Sequence, residues 1–139
     1  MKIANILSAI LGLVLATLSI QWIFNPEAAA DSLGMLYLEG EGRNTQIRDF
    51  TAFFMGTSIM CFLSLITKQF QWILCAGIIF FIAAVFNVIS SFSYGAPIVF
   101  SALVSEILFT MIAVSACLLY TSDACRRYSL CRSRWSPYH

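Results

Sequence analysis

The chain has 139 residues, enough for one domain, and 60% of them are hydrophobic while only 11% are charged. Soluble domains are roughly 45–50% apolar and about 25% charged. This composition excludes an ordinary soluble domain, which could not bury so much apolar surface, and it predicts a protein surrounded by lipid. The net charge of +1 says little, so the distribution of the charges matters more.

The first predicted membrane span covers residues 3–24 and reads IANILSAILGLVLATLSIQWIF. A bilayer core needs ~20 apolar residues of helix. An Ala-x-Ala pattern at residues 28–30 would suit signal-peptide cleavage, but the apolar stretch exceeds the ~7–15 residues usual in a signal peptide. We therefore expect a retained transmembrane helix.

The connection at residues 25–44 contains PEAAADSLGMLYL, which favours a short amphipathic helix over a mobile loop. In that helix Leu33, Leu36 and either Tyr37 or Leu38 would face inward. Three further spans are predicted at residues 45–66, 72–92 and 97–120, with Pro97 in the first turn of the last one. Residues 1–120 thus form an all-α domain, an antiparallel four-helix transmembrane bundle, and residues 121–139 form a basic tail.

Charged residues alternate between the two sides of the predicted bundle. Acidic residues collect in the first connection: Glu27, Asp31, Glu39 and Glu41. Basic residues collect before the first span, between the second and third, and in the tail: Lys2, Lys68, Arg126, Arg127, Arg132 and Arg134. The positive-inside rule then places both termini in the cytoplasm and the connections 25–44 and 93–97 outside.

Small residues recur at helical spacing in every span, which is typical of close helix packing in lipid. Gly12 in the first span and Gly56 in the second are the expected packing positions. The strongest polar residue of each later span lies on the same face as its small residues. These polar residues are Arg48, Asn87 and Glu106.

The expected depths of Arg48, Asn87 and Glu106 are similar, so the three form a candidate site in the outer half of the bundle. An unpaired charge in lipid is costly, and we expect Arg48 to pair with Glu106. This pair would be structural, or it would bind a ligand or a proton. Asn44 and Asp49 mark the entry of the second span, where Asp49 would face the headgroups or cap the helix.

The sequence contains no nucleotide-binding, metalloprotease or carboxylate-pair motif, and its only histidine is His139. We therefore expect no catalytic residues, no metal site, no required cofactor and no nucleic-acid partner. Of the five cysteines, three lie within apolar runs and are expected to act as small buried hydrophobic residues: Cys61, Cys75 and Cys117. Cys125 and Cys131 lie in the tail.

The segments RNTQIRDFTAFFMG, FNVISSFSYGAP and LVSEILFTMIAV resemble the second to fourth helices of DoxX-like proteins, small four-helix bacterial membrane proteins. The resemblance covers residues 44–115 and is closest to a short uncharacterised branch of that group. It points to Asn44, Arg48, Gly56, Gly95 and Glu106. The sequence departs from the branch at Asn87, where an arginine is frequent.

The resemblance implies a protein of the bacterial inner membrane, and some DoxX-like relatives are thought to be subunits of quinone-linked oxidoreductases. Three functions stay open. The first is a non-enzymatic accessory or scaffold subunit that holds a lipid or small apolar ligand in its outer half. The others are a quinone-linked redox subunit and a small oligomeric transporter or channel. The bilayer is the expected partner, with a second membrane subunit or further copies of the chain.

Overall fold

The structure is a computed structural model that describes the backbone of residues 1–135 and the side chains of residues 1–127. This part of the chain is helical, in the order α1 (Lys2–Phe24), α2 (Pro26–Ser32), α3 (Gly40–Thr67), α4 (Phe70–Tyr94) and α5 (Phe100–Trp135). Four of these helices are long and apolar enough to cross a membrane. The predicted all-α membrane bundle is confirmed.

The four long helices form a bundle in which each helix packs antiparallel to its neighbours. α1 and α4 each contact both α3 and α5. Antiparallel packing follows from the contacts: Ser58 on α3 donates to Gly12 on α1, and Tyr120 on α5 lies 3.1 Å from Ser8 on α1. α2 therefore lies at the end of the bundle where α1 and α4 finish, which we call the α2 end.

The outward faces of the long helices carry large apolar side chains, as a helix surrounded by lipid requires. Leu13 on α1, Ile59 on α3, Phe81 on α4 and Met111 on α5 are all more than 45% exposed. The apolar surplus of the composition therefore lies mostly on the surface of the bundle, where it suits a hydrocarbon solvent.

Two predicted boundaries of the last helix differ from the structure. α5 begins at Phe100, and Pro97 lies in the connection before it. The backbone also stays helical past residue 120, where the tail was expected to begin, as far as Trp135. The expectations for His139 and for the side chains of Cys131, Arg132 and Arg134 fall outside the described residues.

The short helix predicted after the first span is confirmed as α2. Asn25 caps it, because its side-chain oxygen accepts a hydrogen bond from the backbone of Ala28, and Pro26 occupies the first turn. Its inward face was predicted only in part. Ala30 is fully buried and Leu33 half-buried, whereas Leu36 is 86% exposed because the chain leaves the helix before reaching it.

α1 and α3 are in close contact at Gly12, a packing position that the sequence predicted. A Cβ atom there would lie 3.1 Å from the Phe62 ring and 3.3 Å from Cys61, and Ser58 donates a 2.8 Å hydrogen bond to the Gly12 carbonyl. A larger side chain would have to push these neighbours away, so glycine suits this contact.

The corresponding prediction for Gly56 is wrong. No atom lies within 4 Å of the position that its Cβ would occupy. The buried stripe of α3 runs through Thr57, Ser58, Cys61 and Ser64 instead. The sequence had suggested a contact face at Gly56, but the hydroxyl- and thiol-bearing residues next to it form that face.

We predict that Gly12→Leu destabilises the protein by ~1–3 kcal/mol, because the added side chain must displace Phe62 and Cys61 from a packed interface. Gly56→Leu is the matched control and should leave stability nearly unchanged, since it adds the same side chain in open space. Thermal unfolding in detergent compares the two. Equal losses of stability in both variants would contradict the assignment of the α1–α3 interface.

Candidate functional site

A cavity of about 520 Å³ opens inside the bundle toward the α2 end. All four long helices line it, together with residues from the connections after α2 and before α5. Five of its lining residues are phenylalanines: Phe50, Phe53, Phe54, Phe80 and Phe109. Among its polar lining residues are Asn87 and Glu106, two of the three residues that the sequence placed in one site.

The phenylalanines form a continuous chain of ring contacts across three helices. Phe53 on α3 meets Phe80 on α4 edge to face at 5.2 Å between ring centres, and Phe80 meets Phe109 on α5 at 5.1 Å. Trp22 on α1 extends the chain by stacking on Phe50 at 4.8 Å. Such pairs hold rings in fixed orientations, so the apolar wall of the cavity has a defined shape.

Trp22 departs from what its position near the end of the first span suggests. Aromatic rings at span ends usually lie at the membrane interface, but Trp22 is 1% exposed and packs between helices.

The phenylalanines of the cavity wall had one signal in the sequence, which is their spacing on α3 at positions 50, 53 and 54. It continues the buried stripe of that helix toward its beginning.

Asn87 fastens the α4–α5 connection to the body of α4. Its side-chain nitrogen donates to the Val99 carbonyl at 3.2 Å, and its side-chain oxygen accepts from the Val99 backbone nitrogen at 3.3 Å. Gly95, in a left-handed conformation with φ 65°, ends α4 and lets the chain turn back toward Asn87. Asn87 thereby fixes the segment that closes one side of the cavity.

Glu106 lies about two turns into α5 and faces Asn87 across the cavity wall. Asn87 and Glu106 both line the cavity. The second carboxyl oxygen, Oε2, is enclosed and has no hydrogen-bond partner in the described part of the chain. The site therefore contains one carboxyl with an unused acceptor, set among aromatic rings.

The predicted pair of Arg48 and Glu106 is not formed. The Arg48 side chain is 65% exposed, and its Nε donates to Asp49 Oδ1 at 2.9 Å. The reason is helical phase: the buried face of α3 includes Gln46, and a position two residues further on lies on the opposite side. Arg48 shares the outward face with Met55 and Ile59.

The two residues expected at the entry of the second span, Asn44 and Asp49, do not lie at the start of α3. α3 begins at Gly40, and its N-cap residue Glu39 makes no side-chain capping bond. Asn44 is exposed in the second turn, and Asp49 caps nothing because it lies well inside the helix, paired with Arg48. The earlier start of α3 removes both from its first turn.

Gln46 is a site residue that the sequence analysis missed. It is 6% exposed, its side-chain oxygen accepts from the Leu38 backbone at 3.1 Å, and its side-chain nitrogen donates to the Leu36 carbonyl at 3.1 Å. These bonds hold the segment whose Met35 lines the cavity. The sequence signal was its position one turn before Phe50, on the face of α3 that also carries Phe53 and Phe54.

None of the four cysteines whose side chains are described lines the cavity. Cys61 and Cys117 are buried, as predicted, but Cys75 and Cys125 are exposed, so Cys75 is not the buried residue that its apolar neighbourhood suggested. Within the described residues, no three histidine, cysteine or acidic side chains come together in a way that could hold a metal ion.

No family model matches the sequence, and neither a curated protein nor a solved structure matches it. The fold itself defines the class: the chain is a small multi-pass helical membrane protein. The DoxX-like resemblance stays an expectation from the residues quoted above.

We predict that Asn87→Leu lowers the free energy of unfolding by ~1–3 kcal/mol, because it leaves the Val99 amide and carbonyl without partners. Asn44→Leu is the matched control, since Asn44 is exposed, and it should have little effect. Thermal unfolding in detergent measures both. If the two variants are equally stable, the Asn87 bonds do not hold the α4–α5 connection.

Proposed function

We propose that this protein holds a small apolar ligand, such as a lipid or a compact hydrophobic molecule, in the cavity at its α2 end. Its role is that of a non-enzymatic accessory or scaffold subunit in the bacterial inner membrane. The observation that carries the proposal is the cavity of about 520 Å³ with five phenylalanines on its wall. Ligand sites in proteins are typically apolar cavities of roughly 300–1,000 Å³ with few polar groups.

The energetics of packing support an occupant. An empty space of this size deprives the surrounding rings of dispersion contacts on one side. At Gly12 and Gly77, by contrast, helices pack closely, and at Gly77 a Cβ atom would meet Ala113 at 3.0 Å. A bound apolar molecule would restore the missing contacts at the α2 end, and the carboxyl of Glu106, which lines the cavity, would give it one polar anchor.

Filling the cavity tests the proposal. Ala83 lines it from α4, so Ala83→Phe should displace a ligand. Ala52→Phe is the matched control, because Ala52 is exposed on the outward face of α3. After gentle extraction, mass spectrometry should detect a small apolar molecule with the unmodified protein and with Ala52→Phe, and at least about tenfold less with Ala83→Phe.

Retention that is equal in all three proteins, or absent from all three, would contradict a ligand in this cavity. The identity of the molecule also separates the functions left open by the sequence. A co-purified quinone or oxidoreductase favours the redox subunit, and a lipid favours the accessory role. A stable oligomer with a polar axis favours the transporter or channel.

The proposed orientation places both termini in the cytoplasm and the α2 end outside. It is supported by Lys2 and Lys68 at the opposite end and by Glu27, Asp31 and Glu41 near α2. Reporter fusions made after Gln69 and after Gly95 test it. We expect the first to report the cytoplasm and the second the outer side. The reverse result would invert the orientation, and a shared side would contradict α4 as a span.

A further inference from the structure

We infer that the ligand of this cavity is a monovalent organic cation, an ammonium group on a compact apolar body, which pairs with the carboxyl group of Glu106. This inference rests on the proposed function and names the chemical class of the ligand. It depends on three features of the cavity: a carboxyl group whose acceptors are not all used, the lack of a cation paired with it among the described residues, and a wall of aromatic rings.

The first feature is the hydrogen-bonding capacity left over at Glu106. The amide of Asn87, which also lines the cavity, already bonds both backbone groups of Val99. Glu106 Oε2 has no partner among the described residues. A carboxylate accepts at both oxygens, so the carboxyl that lines the cavity keeps acceptor capacity that the described residues do not use.

The second feature is charge. Arg48 pairs with Asp49 on the outward face of α3, and the N-terminal ammonium pairs with Asp123 toward the opposite end. Neither cation is placed to neutralise Glu106. Burying a carboxylate without a partner is costly, and a cation in the cavity removes that cost. Because the carboxylate carries a single negative charge, we expect the ligand to carry a single positive charge.

The third feature distinguishes an organic cation from an uncharged hydrogen-bond donor. An alcohol could donate a hydrogen bond to the carboxyl but would gain nothing from the rings beyond apolar contact. An ammonium group is in addition attracted to the faces of aromatic rings. Phe109 follows Glu106 by three residues on the same face of α5, and Phe80 contacts Phe109 at 5.1 Å between ring centres. The rings therefore adjoin the carboxyl that would hold the charge.

The test compares two probes of the same size and shape, phenylbutylamine and phenylbutanol, which differ in whether the polar end carries a charge. Binding of each radiolabelled probe to the full chain in lipid nanodiscs is measured by equilibrium dialysis, with empty nanodiscs as the blank. We expect the amine to bind at least about tenfold more tightly than the alcohol, since a charge-assisted bond is stronger than a neutral one.

Glu106→Gln keeps the size of the side chain and removes its charge. We expect it to weaken amine binding about tenfold or more and to change alcohol binding less than about twofold. Asp49→Asn is the matched control, because it removes one negative charge outside the cavity, where Asp49 pairs with Arg48. This control should leave the binding of both probes unchanged.

Phe109→Leu provides a second variant that keeps the carboxyl and the apolar surface while removing one ring, and it should weaken the amine more than the alcohol. Equal binding of amine and alcohol, unaffected by Glu106→Gln, would overturn the cation and leave the cavity as a site for neutral ligands. Failure of both probes to bind would overturn the cation and count against the proposed function as well.

Discussion

The contact of α1 with α3 at Gly12 sets the geometry on which the rest of the bundle depends. In lipid, apolar side chains gain little by meeting one another, so helices associate where their backbones come close and where polar groups bond between them. Gly12 supplies both, because it has no side chain and its carbonyl accepts a bond from Ser58. This contact fixes the rotation of α3, and thereby which of its side chains point inward.

The same rotation explains why the two ends of the bundle differ. Toward the opposite end, small side chains such as Gly77 and Ala113 let α4 and α5 pack closely. Toward the α2 end, the inward positions of α3, α4 and α5 carry phenylalanines that meet edge to face. Edge-to-face contacts fix the orientations of these rings, and a cavity lies beside them. Its shape is thus a consequence of where the aromatic residues fall along the helices.

Polar side chains inside the bundle mostly serve the backbone. Gln46 and Asn87 each bond backbone groups of a connecting segment, and Thr57 donates to a carbonyl of its own helix. Such bonds satisfy groups that lipid cannot. Glu106 is different, because one of its oxygens bonds nothing among the described residues. A carboxyl that the fold leaves unsatisfied within an aromatic cavity is the strongest indication of a ligand in this molecule.

The sequence by itself determined the number of long helices, their approximate bounds, the short helix α2 and the contact at Gly12, because these depend on local composition and on helical spacing. It also predicted that Asn87 and Glu106 lie at similar depth, and both line the cavity. Only the tertiary structure decided that Arg48 faces outward, that Gly56 makes no contact and that Gln46 is buried. These depend on the absolute rotation of α3, and apolar residues on every face of a lipid-exposed helix leave that rotation undetermined until its neighbours pack against it.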